Sequence, residues 1–153
     1  MGGEDSGPAT HGSCDELRRA IREAAQRGGR QLTVLVVDDE VMMCEVLTRM
    51  LTMLGCRVLT AGDGQEGVSC FLEHRREIDL IMLDSAMPVM SGPECYRALL
   101  KIDPGVRVLV STATVFSDED IAQLYPGIAG FLQKPYGLAQ LARAMAEATR
   151  RGA

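Results

Sequence analysis

The sequence predicts an α/β fold in which a parallel five-stranded sheet is covered by helices on both faces. Five short apolar runs alternate with five segments whose apolar residues recur at helical spacing, and this alternation is typical of a doubly wound sheet. The first run, Leu32-Thr-Val-Leu-Val-Val37, is a continuous apolar stretch, as expected for a strand buried on both faces. Because crossovers between parallel strands are right-handed, few topologies remain.

The composition limits the class of protein. The chain has 153 residues, of which 46% are hydrophobic and 24% are charged, and this suits one globular domain. No apolar run approaches the roughly 18 residues of a spanning helix, so no membrane contact is expected. A net charge of −5 and only 4% aromatic residues argue against direct binding of nucleic acid. Five cysteines without a CxxC pair favour reduced thiols in a cytoplasmic protein.

The first half of the predicted domain has clear signals at the ends of its elements. The strand over 32–37 is followed by a helix over 41–54, which Gly55 ends. A second strand over 56–61 follows. Gly62-Asp63-Gly64 then breaks the chain before a helix over 65–76.

The second half continues the same alternation. A third strand over 79–83 precedes a helix over 93–101, and Pro93 costs no hydrogen bond in a first helical turn. The remaining strands are predicted over 106–111 and 128–132, and the remaining helices over 118–125 and 138–151. Pro126 should shorten or distort the helix that it follows.

Residues 1–31 are predicted to form a tail that carries one short helix over about 14–27, and the domain itself is predicted over 32–153. Ser13-Cys-Asp-Glu16 has the spacing of a capping box, a thin apolar stripe follows at helical spacing, and Gly28-Gly29 stops the run. This helix could pack on the domain, mediate self-association or belong to a longer chain.

Polar side chains stand where four predicted strands end. Asp38 and Asp39 follow the first strand and Asp84 follows the third, while Thr112 and Lys134 come at the fourth and fifth. Sites in open parallel sheets form beyond the carboxyl ends of the strands, so these groups should meet at one rim. Clustered carboxylates favour a bound cation, and Mg²⁺ takes oxygen ligands while leaving positions open for phosphoryl oxygens. An Asp in such a site can itself be phosphorylated.

Each of these residues also has a structural explanation when it is taken alone. Asp38-Asp39 could cap a helix and favour its dipole, Lys134 could be a solvated lysine, and Thr112 could be an ordinary strand-end hydroxyl. The combined spacing favours the metal site over these explanations.

Four segments of the chain resemble the receiver domain of two-component response regulators. The segments are Val36-Val37-Asp38-Asp39-Glu40, Leu83-Asp84-Ser-Ala-Met87-Pro88-Val-Met90-Ser-Gly92, Val110-Ser-Thr112-Ala113 and Gly130-Phe131-Leu-Gln-Lys134-Pro135. They stand in the order of the family, each at a predicted strand end, and the resemblance covers about residues 32–150. It implies a flavodoxin-like (βα)5 fold with the strand order 2-1-3-4-5.

The resemblance implies a phosphoacceptor and a set of magnesium ligands. Asp84 resembles the phosphoacceptor. Asp39 resembles the direct ligand of Mg²⁺, Asp38 resembles a ligand acting largely through water, and the backbone carbonyl of Ala86 would complete the protein ligands. Lys134 resembles the lysine that pairs with the phosphoryl group.

The resemblance also implies a switch. Thr112 resembles the hydroxyl residue that moves toward the phosphoryl group, and Phe131 stands where the family has an aromatic residue that changes rotamer. Phe131 lacks the hydroxyl of the tyrosine that is often found there. The Lys134–Pro135 bond is the candidate for the family's cis peptide.

The partners that the resemblance implies are a histidine kinase or a histidine phosphotransfer protein as phosphoryl donor. A downstream protein or a second copy would bind the face of the fourth helix, fifth strand and fifth helix. The chain could be a single-domain regulator or a receiver from a hybrid histidine kinase, and no enzyme activity beyond phosphorylation and dephosphorylation of Asp84 is expected. Two alternatives stay open: a structural receiver that takes no phosphate, and a metal-dependent phosphatase-like enzyme. In the second, Ala86 stands where another Asp is wanted.

Overall fold

The computed structural model describes residues 31–150 and, ahead of them, Asp15, Glu16, Arg19 and Arg22. These four residues are helical and exposed, and the rest of the predicted helix over 14–27 lies outside the described residues. The boundary between tail and domain therefore stays a prediction. Within the described part, none of the helices combines the length with the apolar composition that crossing a bilayer requires.

Between residues 31 and 150, five strands alternate with five helices. In chain order these are β1 (Thr33–Val37), α1 (Val41–Met53), β2 (Arg57–Ala61), α2 (Gly64–His74), β3 (Leu80–Asp84), α3 (Gly92–Ile102), β4 (Val108–Thr112), α4 (Asp118–Leu124), β5 (Gly130–Gln133) and α5 (Leu138–Thr149). All neighbouring strands are parallel, and their order in the sheet is β2-β1-β3-β4-β5. The predicted fold class and strand order are thus confirmed.

The helices cover both faces of the sheet, because side chains alternate along each strand. Val34 and Val36 of β1 belong to one core cluster, and Leu35 and Val37 belong to the other. On the first face, helix α1, the Leu54 residue that follows it and helix α5 contribute Leu47, Leu51, Leu54, Leu141, Ala142 and Met145. On the second face, α2, α3 and the end of α4 contribute Phe71, Cys95, Tyr96, Leu99 and Tyr125. Strands β1, β3 and β4 are buried along their whole length, which explains their apolar sequences.

Every strand begins later than the sequence predicts, by one residue for β1, β2 and β3 and by two residues for β4 and β5. Val106 and Ile128 are apolar and were assigned to strands, but their backbone N–H groups donate to the carbonyls of Asp103 and Tyr125. These two residues therefore close the turns after α3 and α4. The fourth helix is only seven residues long and is followed by Tyr125 and Pro126, in agreement with the predicted shortening.

Local signals at the helix ends agree with the structure. Ser91 and Glu94 form a complete capping box at the start of α3, with proline in the first turn. Ser117 and Asp120 form a second box at the start of α4. The cysteines that the structure describes have free thiols, as expected: Cys44, Cys56, Cys70 and Cys95.

Two buried tyrosines pack against each other beside the end of β3. The rings of Tyr96 and Tyr125 have centroids 5.7 Å apart. The Tyr96 hydroxyl donates to the Pro126 carbonyl at 2.7 Å, whereas the Tyr125 hydroxyl is the buried side-chain polar atom for which the described residues offer no partner. Gly92 makes this packing possible, since a Cβ there would meet the Tyr125 hydroxyl and lie 2.7 Å from the Ser85 Cα.

Loss of the hydroxyl should lower the free energy of unfolding at Tyr96 but not at Tyr125. Tyr96→Phe removes a hydrogen bond and leaves the Pro126 carbonyl with one contact fewer, so we expect a loss of about 1 kcal/mol in the free energy of unfolding. Tyr125→Phe removes a buried hydroxyl for which the described residues offer no partner, so we expect no loss and up to about 1 kcal/mol of gain. Urea unfolding of both variants tests this. A loss in Tyr125→Phe as large as that in Tyr96→Phe would contradict it.

Candidate metal centre

Three carboxylates meet at the rim formed by the carboxyl ends of β1 and β3. These two strands are neighbours with Val37 opposite Leu83, so the residues that follow are brought side by side. One carboxylate oxygen from each of Asp38, Asp39 and Asp84 lies within 4.8 Å of the others. Asp38 and Asp84 are buried, and Asp39 is exposed.

The Lys134 ammonium reaches the same rim from the loop after β5. Its Nζ atom lies 3.5 Å from Oδ1 of Asp84 and 3.7 Å from Oδ2 of Asp38. The lysine is held in place by its backbone N–H, which donates to the Thr112 carbonyl at 2.7 Å. The peptide bond from Lys134 to Pro135 is cis. The structure therefore brings the three predicted acids and the predicted lysine together.

Burial and mutual repulsion disturb the titration of this cluster. Burial raises the pKa of Asp84 from 3.8 to about 6, the negative charge of Asp38 adds to the effect, and Lys134 and the Ala86 N–H partly offset it. Burial also raises the pKa of Asp38. The backbone N–H of Glu40, which donates to Oδ1 of Asp38 at 2.9 Å, lowers this pKa and offsets part of the rise. The pKa of Lys134 is raised as well, because the two carboxylates outweigh the desolvation of its ammonium.

The carboxylates therefore carry more negative charge than the single ammonium balances. A cation relieves such repulsion, and three carboxylate oxygens with one exposed side are the hard ligands that Mg²⁺ prefers. The donor set fits a magnesium ion that keeps open positions toward solvent. Ala86, the fourth predicted contributor, is exposed beside Asp84 and donates its N–H to that carboxylate.

Thr112 lies next to Ser85, the residue that follows Asp84. Asp84 pairs with Ser111 across β3 and β4, so Ser85 and Thr112 come next along the two chains. The Ser85 hydroxyl donates to Oγ1 of Thr112 at 2.6 Å, and Thr112 is almost completely buried. The predicted switch hydroxyl is thus fixed at the rim.

Phe131 lies on β5 and is half buried. Its ring contacts Phe116 edge-on with centroids 5.7 Å apart, and Tyr125 with centroids 6.4 Å apart. Phe131 therefore touches residues on both sides of α4.

Sequence reasoning missed two features of the rim. Ser85 is the first, because no local pattern indicates its contact with Thr112. The hydroxyls of Ser111 and Tyr136 lie 3.4 Å apart, and the partly buried Tyr136 is close enough for Lys134 to affect its pKa, which burial raises. The position of Tyr136 directly after Lys134-Pro135 is the signal that could have drawn attention to it.

The sequence profile that defines the response regulator receiver domain matches residues 34–146. The chain belongs to the response regulator receiver family. It therefore contains a receiver domain of the two-component systems, and the family predicted from the four segments is confirmed.

Relatives and solved structures agree with this assignment. The transcriptional regulatory protein PrrA of Mycobacterium tuberculosis is 41% identical over 120 residues, which are 78% of this chain and 51% of that protein. A receiver domain protein from Clostridium thermocellum superposes with a TM-score of 0.72 and 31% identity, covering 77% of this chain and 94% of that one. A chain of the CheX-CheY-BeF3-Mg complex from Borrelia burgdorferi superposes with a TM-score of 0.79 and 28% identity, covering 88% and 98%.

The receiver spans only about half the length of the curated relatives that it matches. It covers 51% of PrrA and 47% of the probable transcriptional regulatory protein TcrX of Mycobacterium tuberculosis, which is 34% identical over 113 residues. The similarity therefore concerns the receiver part of those proteins.

The raised pKa of Asp84 predicts how its replacement changes stability with pH. Its folded-state pKa of about 6 exceeds its ordinary value of 3.8, so the ionised carboxylate destabilises the metal-free fold. This cost is absent below pH 3.8, grows as the pH rises and is complete above about pH 6. Asp84→Asn should therefore stabilise the protein at about pH 8, by on the order of 2 to 3 kcal/mol, and much less at about pH 4.

Urea unfolding with a chelator present measures this difference. Glu73→Gln, a change at an exposed acid on α2, is the matched control, and as a surface substitution it should shift stability by less than about 0.5 kcal/mol. If Asp84→Asn has the same effect at both pH values, the surroundings do not raise the pKa of the Asp84 carboxylate.

Proposed function

We propose that this receiver takes a phosphoryl group onto the Asp84 carboxylate in the presence of Mg²⁺, and that the aspartyl phosphate switches a signalling surface. The donor is a histidine kinase or a histidine phosphotransfer protein, and the protein acts in the cytoplasm. The observation that carries this proposal is the meeting of three carboxylates within 4.8 Å, with the Lys134 ammonium 3.5 Å from Asp84.

Mg²⁺ would be held by the side chains of Asp38, Asp39 and Asp84 and by the backbone carbonyl of Ala86. The exposed Asp39 is the direct ligand in this proposal, and the buried Asp38 acts largely through water. When bound, the ion supplies positive charge and open coordination positions for phosphoryl oxygens.

The transfer forms a bond from an Asp84 oxygen to phosphorus and breaks the bond from phosphorus to the imidazole nitrogen of the donor, which keeps the electron pair. Only the ionised carboxylate is a nucleophile, and a pKa of about 6 leaves Asp84 mostly ionised at neutral pH. Lys134 is close enough to pair with a phosphoryl oxygen, and Thr112 can donate a hydrogen bond. Phosphoryl transfer depends mainly on such positioning and charge neutralisation.

Thr112 and Phe131 would carry the change from the rim to the face formed by α4, β5 and α5. The edge-on contacts of Phe131 with Phe116 and Tyr125 mean that rotation of its ring disturbs both ends of α4. A two-state surface biased by a charged modification works in this way. We place the site for a downstream protein or a second copy on this face.

A separate exposed face on α1 suits the phosphoryl donor. Met42, Val46 and Met53 recur at helical spacing and are all exposed, Met42 by 78%. Helix α1 begins directly after the carboxylates of Asp38 and Asp39, so a protein that binds this stripe has its own reactive group near the rim. Exposed apolar side chains of this kind are typical of binding surfaces.

The chemistry of this chain would be limited to its own phosphorylation and dephosphorylation. The site serves equally a single-domain regulator and the receiver of a longer protein, such as a hybrid histidine kinase. Direct contact with nucleic acid or membrane is not part of the proposal.

Incubation with acetyl phosphate and Mg²⁺ tests the proposed chemistry. We expect one phosphoryl group per chain, removed by base, because Asp84 would carry an acyl phosphate. Asp84→Asn should abolish the adduct, and Asp39→Asn should slow its formation by at least about tenfold because a direct metal ligand is lost. Intact-mass spectrometry follows the adduct over time.

Two controls make the result specific. Glu73→Gln should be labelled like the wild type, and a chelator should prevent labelling of all variants. A wild-type chain that stays unlabelled would indicate a structural receiver, and continuous release of phosphate from phosphate esters would indicate a phosphatase.

The stripe on α1 should matter only for a protein donor. Met42→Glu should slow transfer from a phosphorylated histidine phosphotransfer protein by about tenfold, because an anchor residue at an interface contributes about 1 to 2 kcal/mol. Labelling by acetyl phosphate should stay at the wild-type rate. Leu72→Glu, at an apolar side chain that is 57% exposed on α2, is the matched control. An equal slowing with both donors would mean that the substitution damages the site itself.

A further inference from the structure

The contact between Ser85 and Thr112 joins the residue that follows the proposed phosphoacceptor to the proposed switch residue. Ser85 directly follows Asp84, and its backbone N–H donates to the Ser111 carbonyl at 3.4 Å, which extends the pairing of β3 and β4 past Asp84. The side chains of Ser85 and Thr112 then meet at 2.6 Å, in surroundings that leave Ser85 only 9% exposed and Thr112 only 1%.

The hydrogen bonds at Thr112 determine what its hydroxyl can still do. A hydroxyl has one hydrogen to donate and two lone pairs that accept. Oγ1 of Thr112 accepts from the Ser85 hydroxyl at 2.6 Å and from the backbone N–H of Thr114 at 3.0 Å. Both lone pairs are thus engaged, but neither contact uses the hydroxyl hydrogen of Thr112, which can still be donated to another acceptor. Thr112 is therefore prepared to act as a donor.

We propose that Ser85 is a positioning residue that holds the Thr112 hydroxyl as a hydrogen-bond donor toward the phosphoryl group on Asp84. The inference rests on the proposed function. A donor whose hydrogen is not engaged in another bond stabilises a new anion better, because no competing bond of that hydrogen has to break when the charge arrives. Without the Ser85 hydroxyl, one lone pair of Thr112 is free to seek another donor, and the side chain can rotate away from the rim.

Binding of beryllofluoride in the presence of Mg²⁺ measures this effect, because the anion imitates a phosphoryl group on a carboxylate. The probe is followed by fluorine NMR in a titration of the full chain. Ser85→Ala should weaken its binding by about three- to tenfold, the effect of losing one oriented hydrogen bond. Ser85→Thr keeps a hydroxyl and should bind like the wild type, whereas Ser85→Val has the same shape without the hydroxyl and should bind like Ser85→Ala.

A double-mutant cycle separates positioning from a general structural role. Thr112→Val removes the hydroxyl through which Ser85 is proposed to act. In that background Ser85→Ala should cause no further weakening, because coupled residues are not additive. Ser85→Thr and Ser85→Val bring the same added bulk, so their comparison stays informative even if Ser85→Ala folds poorly.

Three results would overturn this inference and leave the proposed function standing. An additive loss in the Thr112→Val background would show that Ser85 acts independently of Thr112. Wild-type binding by Ser85→Ala would show that its hydroxyl has no role. Tighter binding by Ser85→Ala would show that Thr112 donates to Ser85 instead and is held back from the phosphoryl group. A wild-type chain that binds no beryllofluoride would overturn the proposed function together with this inference. Asp84→Asn, which lacks the acceptor carboxylate, shows the fluorine signal expected when nothing binds at the site.

Discussion

The repulsion among three carboxylates at one rim of the sheet is the interaction on which the rest of the site depends. The order of the strands places β1 beside β3, and this adjacency brings Asp38 and Asp39 to Asp84. Burial of two of these acids removes the water that would screen them, and one ammonium, from Lys134, cannot balance them all. The rim is therefore suited to a divalent cation, whose two positive charges together with the Lys134 ammonium would balance the three carboxylates. In the proposed function, the phosphoryl group arrives only after this charge has been neutralised.

The groups that would respond to such a change lie on the other side of Asp84, on β4 and β5. Thr112 is held by hydrogen bonds at the rim, and Phe131 is held by aromatic contacts on β5. Tyr125, which contacts Phe131, packs closely against Gly92 and leaves its buried hydroxyl without a partner among the described residues. Such departures from ideal packing are concentrated at functional sites in proteins, and here they adjoin the proposed phosphoacceptor.

Most of the fold could be predicted from the sequence, because the patterns that specify a doubly wound sheet are local. Apolar runs indicate buried strands, and glycine and proline mark the turns between elements. The predictions were wrong at Val106 and Ile128, where an apolar residue closes a turn instead of pairing with a strand. The apolar pattern cannot distinguish a residue that closes a turn from one that pairs in a strand. In both cases the side chain packs on the core, and only the partner of the backbone N–H differs.

The sequence by itself determined which groups reach the rim, since Asp38, Asp39, Asp84, Thr112 and Lys134 each stand at the end of a recognisable strand. Only the tertiary structure decided how those groups act on one another. The raised pKa of Asp84 and the hydrogen bond that fixes Thr112 depend on distances between residues far apart in the chain. Burial and hydrogen-bond geometry depend on which residues are neighbours in space. The apolar pattern of a strand identifies the residues of that strand, but it does not identify the residues that pack against them.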